Sequence, residues 1–333
     1  MFADTLLLWS ADHQRDLPWR GEKDPYKVWV SEIILQQTRV QQGWNYYQRF
    51  IEIFPDVRSL AVADEQEVLR LWQGLGYYSR ARHLHQAAQQ IMATHKGRFP
   101  SRYEDIRALK GVGDYTAAAI ASFAFGEQRP AVDGNMMRVV SRYFGVVENI
   151  SSPATKRTIT SIAEKEIQQV DPASFNQAMM DFGSLQCTPA NPACQNCPLQ
   201  QGCYACQHDM ATTLPIKNQQ IRKRQRYFIL TMFVDGVQTI LEQRTGKDIW
   251  HNMYQFPLQE VKEPQPHGAH YATTIREVLT HQVISADIYV QPCRPLPKLQ
   301  AHQQVVAIEE LSRFPMPKIM TSFLQNHLDI ITT

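Results

Sequence analysis

Four cysteines in one short run constrain this chain more than any other feature. Cys187, Cys194, Cys197 and Cys203 are separated by six, two and five residues, while Cys206 and Cys293 stand apart. Thiols spaced this closely call for a shared centre: disulfides, a tetrahedral metal ion, or a thiolate-held cluster. Disulfides belong mainly to exported proteins. The amino terminus places Asp4 before Leu6-Leu7-Leu8 and has no basic region ahead of them, which does not suggest export. Zinc and iron–sulfur ligation both suit four thiolates, and the spacing alone ranks them equal.

The rest of the composition narrows the class. A length of 333 residues corresponds to about two domains. With 44% hydrophobic and 20% charged residues, a disordered or collagen-like chain is excluded. The longest stretch free of charge and strong polarity, Thr116 to Gly126, is too short to span a bilayer. The expectation is a soluble intracellular protein with no membrane partner. The net charge is only +2, but residues 208–226 carry five basic residues, Lys217, Arg222, Lys223, Arg224 and Arg226, against Asp209. A neutral body does not advertise nucleic-acid binding, so any DNA contact must come from local geometry.

Periodicity divides the chain. Residues 1–207 repeat apolar side chains at helical spacing, as in Val68-Leu71-Trp72 and Ile159-Ile162. Residues 208–226 form a polar, basic connector. Beyond it, Tyr227 to Val234 is β-rich, Asp235-Gly236 is a hairpin dipeptide, and Val237 to Leu241 is a return strand. Further strands are expected at Val283 to Val290 and Gln304 to Ile308. The fold class is thus multidomain, an all-α body followed by a small α/β domain at 227–333.

Two segments share a glycine–aliphatic–glycine core: Gly74-Leu75-Gly76-Tyr77-Tyr78 and Gly111-Val112-Gly113-Asp114-Tyr115. In the second, at 109–117, the glycines allow a close backbone approach and a following helix start can face a phosphate. A helical hairpin that only packs reads equally well. Glu32 lies in an otherwise apolar segment, where a carboxyl group takes a raised pKa; a solvent-facing helix glutamate is the plainer alternative. Asp133, ahead of Gly134-Asn135-Met136, is explained by helix capping alone.

Together, the 109–117 hairpin, the segment Pro130 to Val139 and the cysteine run resemble the helix-hairpin-helix DNA glycosylases related to endonuclease III. Leu17-Pro18-Trp19-Arg20, Pro25 to Glu32, Leu35-Gln36-Gln37-Thr38 and Gly74 to Arg82 are similar to its adenine DNA glycosylase (MutY) branch. This resemblance, not the spacing, implies a [4Fe–4S] cluster on Cys187, Cys194, Cys197 and Cys203, within a module at 187–203. It implies that Glu32 protonates adenine, that ionised Asp133 stabilises positive charge on the sugar, and that Asn135 orients the site. Tyr115 stands where backbone-cutting relatives carry a Schiff-base lysine, so the reaction stops at base removal; Lys110 lies within the turn and is discounted. Arg20, Leu35 and Thr38 are implied to line the adenine pocket and its approaches, and Trp19 to contact DNA or substrate. Gln37 and Tyr77 are implied wedges in the base stack, with Arg80 and the hairpin glycines Gly111 and Gly113 as further DNA contacts.

The branch also carries a Nudix-like C-terminal domain. Thr280-His281 resembles its 8-oxoguanine-sensing loop, with Leu279 and Thr280 departing from the family's phenylalanine and serine. No pyrophosphatase box accompanies it. The partner implied is double-stranded DNA with A:8-oxoguanine or A:G mispairs, bound by a monomer in a bacterial-type, nucleoid-associated cytoplasm. Two other readings remain: an endonuclease III-like glycosylase/lyase, and a cluster-bearing DNA-binding protein without catalysis.

Overall fold

A computed structural model of the protein describes residues 2–38, 40–168, 170–217 and 223–327. Arg222 of the basic stretch and the end of the C-terminal region, 328–333, lie outside the described residues. Among the described residues twelve helices run through the first two-thirds: α1 (Phe2–Ala11), α2 (Pro25–Leu35), α3 (Val40–Ile53), α4 (Val57–Val62), α5 (Glu65–Leu71), α6 (Ser79–Thr94), α7 (Tyr103–Arg107), α8 (Asp114–Phe125), α9 (Gly134–Phe144), α10 (Pro153–Ile167), α11 (Pro172–Leu185) and α12 (Tyr204–Gln207). Short 3₁₀ turns at Cys194–Asn196 and Gln200–Gly202 precede α12. Among the described residues no helix is long and apolar enough to cross a membrane.

Packing groups the residues into two units, Met1–Ala61 with Gln86–Gln219, and Val62–His85 with Gln220–Thr333. In the first, local chemistry sets the helix starts. Asp24, Asp133, Ser152 and Asp171 each accept a hydrogen bond from a backbone N–H of the first turn. One core gathers Leu6, Met136, Val139, Ile159, Phe175 and Phe182 from α1, α9, α10 and α11. Each such side chain contributes about 1.5–3 kcal/mol through burial. Helix α2 is buried from Val28 to Ile34, Glu32 included, and packs on α8, which is buried from Thr116 to Ser122 and rich in alanine. Small side chains permit that close approach.

Among the described residues of the second unit seven strands form one mixed sheet: β1 (Arg224–Asp235), β2 (Gln238–Gln243), β3 (Tyr254–Gln255), β4 (Leu258–Val261), β5 (Tyr271–Val278), β6 (Gln282–Pro292) and β7 (Gln303–Ala307). The order is β3-β2-β1-β6-β5, with β4 on β1 and β7 on β2. β1 and β6 run parallel, Arg224 opposite Gln282 through Val234 opposite Pro292. The Asp235-Gly236 turn forms as the sequence implies, with Gly236 at φ 65°. Helix α13 (Lys318–Asn326) adds Phe323, which lies edge-on to Phe256.

Helix α5 and the start of α6 group with this sheet, although their periodicity resembles that of the helical body. Polar contacts explain it. Asn252 Nδ2 donates to Glu65 Oε1 (2.6 Å), Gln66 Nε2 to the Asn252 carbonyl (3.1 Å) and Arg82 Nη1 to the His251 carbonyl (2.9 Å). The basic stretch also ends earlier than the charge count suggests. Arg224 opens β1, and Arg226 is buried between Asp248 (2.7 Å) and Glu260 (2.6 Å). Arg226 is therefore a structural cation, neutralised inside its own unit.

Candidate active site

A cavity of about 680 Å³ opens in the first unit. Trp19, Arg20, Glu32, Leu35, Tyr115 and Asp133 all line it, bringing together residues more than a hundred positions apart. Gln36, Lys23 and Gln177 also line it, and the sequence reading did not single these out.

Glu32 is 8% exposed. Tyr115 Oη donates to its Oε2 at 2.7 Å. Burial pushes the Glu32 carboxyl up to about 7, the Asp133 charge adds to that rise, and the tyrosine hydrogen bond opposes it. A carboxyl group so placed holds a proton near neutral pH. The Tyr115 phenol is itself pushed well above its ordinary range, by burial first and by Glu32 second. It therefore serves as a donor and not as a base.

Asp133 performs the capping task and more. Its Oδ1 accepts from the Met136 N–H (2.7 Å) and its Oδ2 from Asn135 Nδ2 (2.7 Å). These bonds favour the ionised form, yet burial outweighs them and its pKa is raised. Asn135 stands behind Asp133. Its Oδ1 accepts from Arg138 Nη2 (2.8 Å), and that guanidinium also reaches the Gly183 carbonyl (2.6 Å) and, through Nε, the Cys187 carbonyl (2.8 Å). A β-carbon on Gly183 would lie 2.6 Å from that of Asn135, so only glycine permits α11 this close. One chain of hydrogen bonds thus runs from Asp133 to the cysteine segment.

Arg20 is held by a carboxylate that sequence reading missed. Asp181, fully buried, accepts from Arg20 Nη2 at 2.5 Å and from Arg15 Nε at 2.6 Å. A lone aspartate inside an apolar helix was the available signal, since buried carboxylates are rarely unpaired. Trp19 meets Tyr47 edge-on at 5.7 Å between ring centres. Gln36 Nε2 donates to Thr116 Oγ1 (3.1 Å).

Thr38 does not line the cavity; its hydroxyl approaches the Gln36 carbonyl at 3.4 Å. Gln37, also outside, is exposed with φ 58°. In the second unit Tyr77 has the same character, exposed with φ 47°. Left-handed backbone costs an L-residue roughly 1–2 kcal/mol, so both side chains are held outward at a cost. The Arg80 guanidinium lies over the rings of Trp72 (5.3 Å) and Tyr77 (5.5 Å). Thr280 and His281 tip the β5–β6 hairpin, closed by the Leu279 N–H to the Gln282 carbonyl (2.8 Å). Thr280 Oγ1 shares a 2.5 Å hydrogen bond with Tyr77 Oη.

The 109–117 hairpin joins α7 to α8. Gly111 has φ 75°, a conformation open to glycine, and Gly113 is the N-cap of α8. Arg107 pairs with Asp114 and its Nη1 donates to the Val112 carbonyl (3.0 Å), so the acidic residue at the turn is neutralised from within.

A second, smaller pocket is lined by Cys187, Cys194, Cys197, Cys203 and Cys206. Arg142, 2% exposed, organises its wall: Nη1 donates to Cys187 Sγ (3.3 Å) and the Thr188 carbonyl (2.7 Å), and Nη2 to the Pro189 carbonyl (2.9 Å). Among the described residues no three His, Cys, Asp or Glu side chains are placed to hold a metal ion.

Residues 30–165 match the model of the HhH-GPD superfamily base excision DNA repair proteins. The adenine DNA glycosylase of Buchnera aphidicola subsp. Schizaphis graminum is 34% identical over 265 residues, covering 79% of this chain and 76% of that protein. The adenine DNA glycosylase of Mus musculus is 32% identical over 362 residues, covering 99% of this chain and 68% of the mouse protein. Among solved structures, a thermostable thymine-DNA glycosylase is similar with a TM-score of 0.57 at 28% identity, over 62% of this chain and 95% of that one.

Proposed function

The chain belongs to the adenine DNA glycosylase family of the HhH-GPD superfamily of base excision DNA repair proteins, and from that premise we propose that it hydrolyses the glycosidic bond of adenine mispaired with 8-oxoguanine or guanine in duplex DNA and leaves the backbone uncut. The observation that carries the reading is the meeting of Glu32, Tyr115 and Asp133 on one cavity. A flipped adenine enters that cavity. Glu32, protonated because it is buried, gives its proton to the base and turns it into a leaving group. Tyr115 keeps the carboxyl oriented through its 2.7 Å hydrogen bond. Asp133, with an N–H donor on each oxygen, supplies negative charge as the sugar becomes oxocarbenium-like. Glu32, then a carboxylate, is a base for the attacking water.

Backbone cleavage needs an amine at the sugar, and Tyr115 has none to offer. Lys23, the cavity's lysine, donates to the Phe123 carbonyl at 3.1 Å. The hairpin amides around Gly111 and Gly113 are suited to a phosphate, which positions DNA without reading it. Gln37 and Tyr77 fit the wedge role, being exposed and conformationally fixed. The Thr280-His281 turn, tied to Tyr77, is the reader of the orphaned purine: 8-oxoguanine presents a donor at N7 and an oxygen at C8 that a hydroxyl or imidazole registers.

The cysteine pocket fits a [4Fe–4S] cluster. Its donors are soft thiols on a shared wall, the ligand type such clusters take. Cys187, Cys194, Cys197 and Cys203 would hold the cluster, which would cross-link 187–203 beside α9. Arg142, donating to Cys187 Sγ, stabilises a thiolate there.

The test is incubation with duplex DNA carrying adenine opposite 8-oxoguanine, read with and without alkali and with borohydride. Strand breakage at adenine only after alkali, with no trapped adduct, is the expected result. Breakage without alkali together with a borohydride-trapped adduct would overturn the monofunctional reading and point to Lys23. Intact DNA under both treatments would overturn the excision itself.

A further inference from the structure

The expected ligand set leaves Cys206 without a task, yet its side chain lines the same pocket as the other four cysteines. The backbone brings it there. The Cys206 N–H donates to the Cys203 carbonyl at 3.2 Å, closing Cys203-Tyr204-Ala205-Cys206 into one turn. Cys194-Gln195-Asn196-Cys197 closes in the same way, the Cys197 N–H meeting the Cys194 carbonyl at 3.2 Å. Two Cys-x-x-Cys turns therefore face one pocket, a form that by itself is a complete four-thiolate set.

Helix α12 is fixed in place. A β-carbon on Gly145 would lie 2.7 Å from the Tyr204 ring, so glycine alone lets that ring seat against the end of α9. The Tyr204 ring also stacks on His208, with ring centres 4.0 Å apart. Cys206, two residues on, is consequently held at the pocket wall.

We propose that Cys206 is a reserve ligand of the iron–sulfur cluster, able to take over the iron that Cys203 holds. In the exchange the Cys203–iron bond breaks as a Cys206–iron bond forms. Cys206 releases its proton and Cys203 takes one up, so neither the net charge nor any oxidation state changes. The proposal rests on the cluster reading above and concerns retention of the cluster, not base excision.

Iron per chain and visible charge-transfer absorption of the purified full-length protein test it, in wild type, Cys203→Ser, Cys206→Ser and the double variant. Wild type containing iron is the precondition; zinc in its place would overturn the cluster reading and this proposal with it. Given iron in wild type, Cys203→Ser keeps most of its cluster and the double variant loses it. Equal iron in those two variants overturns the reserve role and leaves the cluster reading standing. Should neither Cys203 variant fold, the comparison of wild type with Cys206→Ser decides: a ferrous chelator strips Cys206→Ser roughly tenfold faster, on the scale of lost supporting groups around a metal. Equal stripping rates overturn the proposal.

Discussion

The candidate cavity and the β5–β6 hairpin tip place polar groups in two opposite surroundings, which suit them to two different tasks. In the cavity Glu32 is almost wholly buried, and burial changes its chemistry, pushing the carboxyl up to about 7. At the hairpin tip Thr280 and His281 remain accessible, one hydrogen-bonded to Tyr77 and the other exposed. A proton donor needs an altered pKa, which only a low-dielectric surrounding supplies. A recognition group needs only its ordinary hydrogen-bonding capacity at a fixed place. The cavity is accordingly built from packed helices, and the tip from a tight turn.

Removing the acid exploits the difference most. Glu32→Gln is expected to bind mispaired DNA but to lose at least ~10²-fold in single-turnover excision, the low end for general acid catalysis. Near-normal excision by that variant would make Glu32 a structural residue and erase the distinction. The same substitution has a thermodynamic signature. Native Glu32 binds its proton up to about pH 7, against an ordinary value of 4.5. Its favourable contribution is complete below the unfolded pKa and is lost as pH rises toward 7. Between pH 4 and pH 8 the stability of Glu32→Gln relative to wild type should shift by about 3 kcal/mol in the variant's favour. Denaturant unfolding at the two pH values reads this directly, and a constant difference would mean that Glu32 is not buried in solution.

The smallest expected effect lies at the hairpin. Thr280→Ala removes one hydroxyl, worth ~1–3 kcal/mol of base discrimination. Excision of adenine opposite 8-oxoguanine should lose its advantage over adenine opposite guanine, while the rate at saturating enzyme on A:G is retained. Unchanged discrimination would assign the Thr280–Tyr77 bond to holding the turn alone.

Much of this was legible before any coordinates, for identifiable reasons. Asp133 reads as an N-cap because capping is local, and it is one. The Asp235-Gly236 turn and the strands read at 227–234 and 283–290 follow from alternation and turn chemistry, and the structure extends them to 224–235 and 282–292. β3, β4 and β5 were not foreseen. The first two are only two and four residues long, and β5 is half-exposed without a clear apolar face. Their pairing is decided by neighbours distant in sequence. The same reason hides Asp181, whose task is visible only when Arg15 and Arg20 arrive from the other end of the first unit.

The sequence by itself determined the residue types that chemistry requires: a carboxylate in an apolar segment, a tyrosine in place of an amine, and thiols spaced to share a centre. Those are properties of composition and short-range spacing, which survive in an unfolded chain. The tertiary structure alone decided what each group can do. It buried Glu32 until its proton stays on near neutrality and set Tyr115 against it. It also put Arg226 between two carboxylates instead of leaving it in a basic linker, and set Cys206 on the pocket that the other four cysteines line. Desolvation and the fields of neighbouring charges depend on which atoms surround a group in space, and only folding sets that.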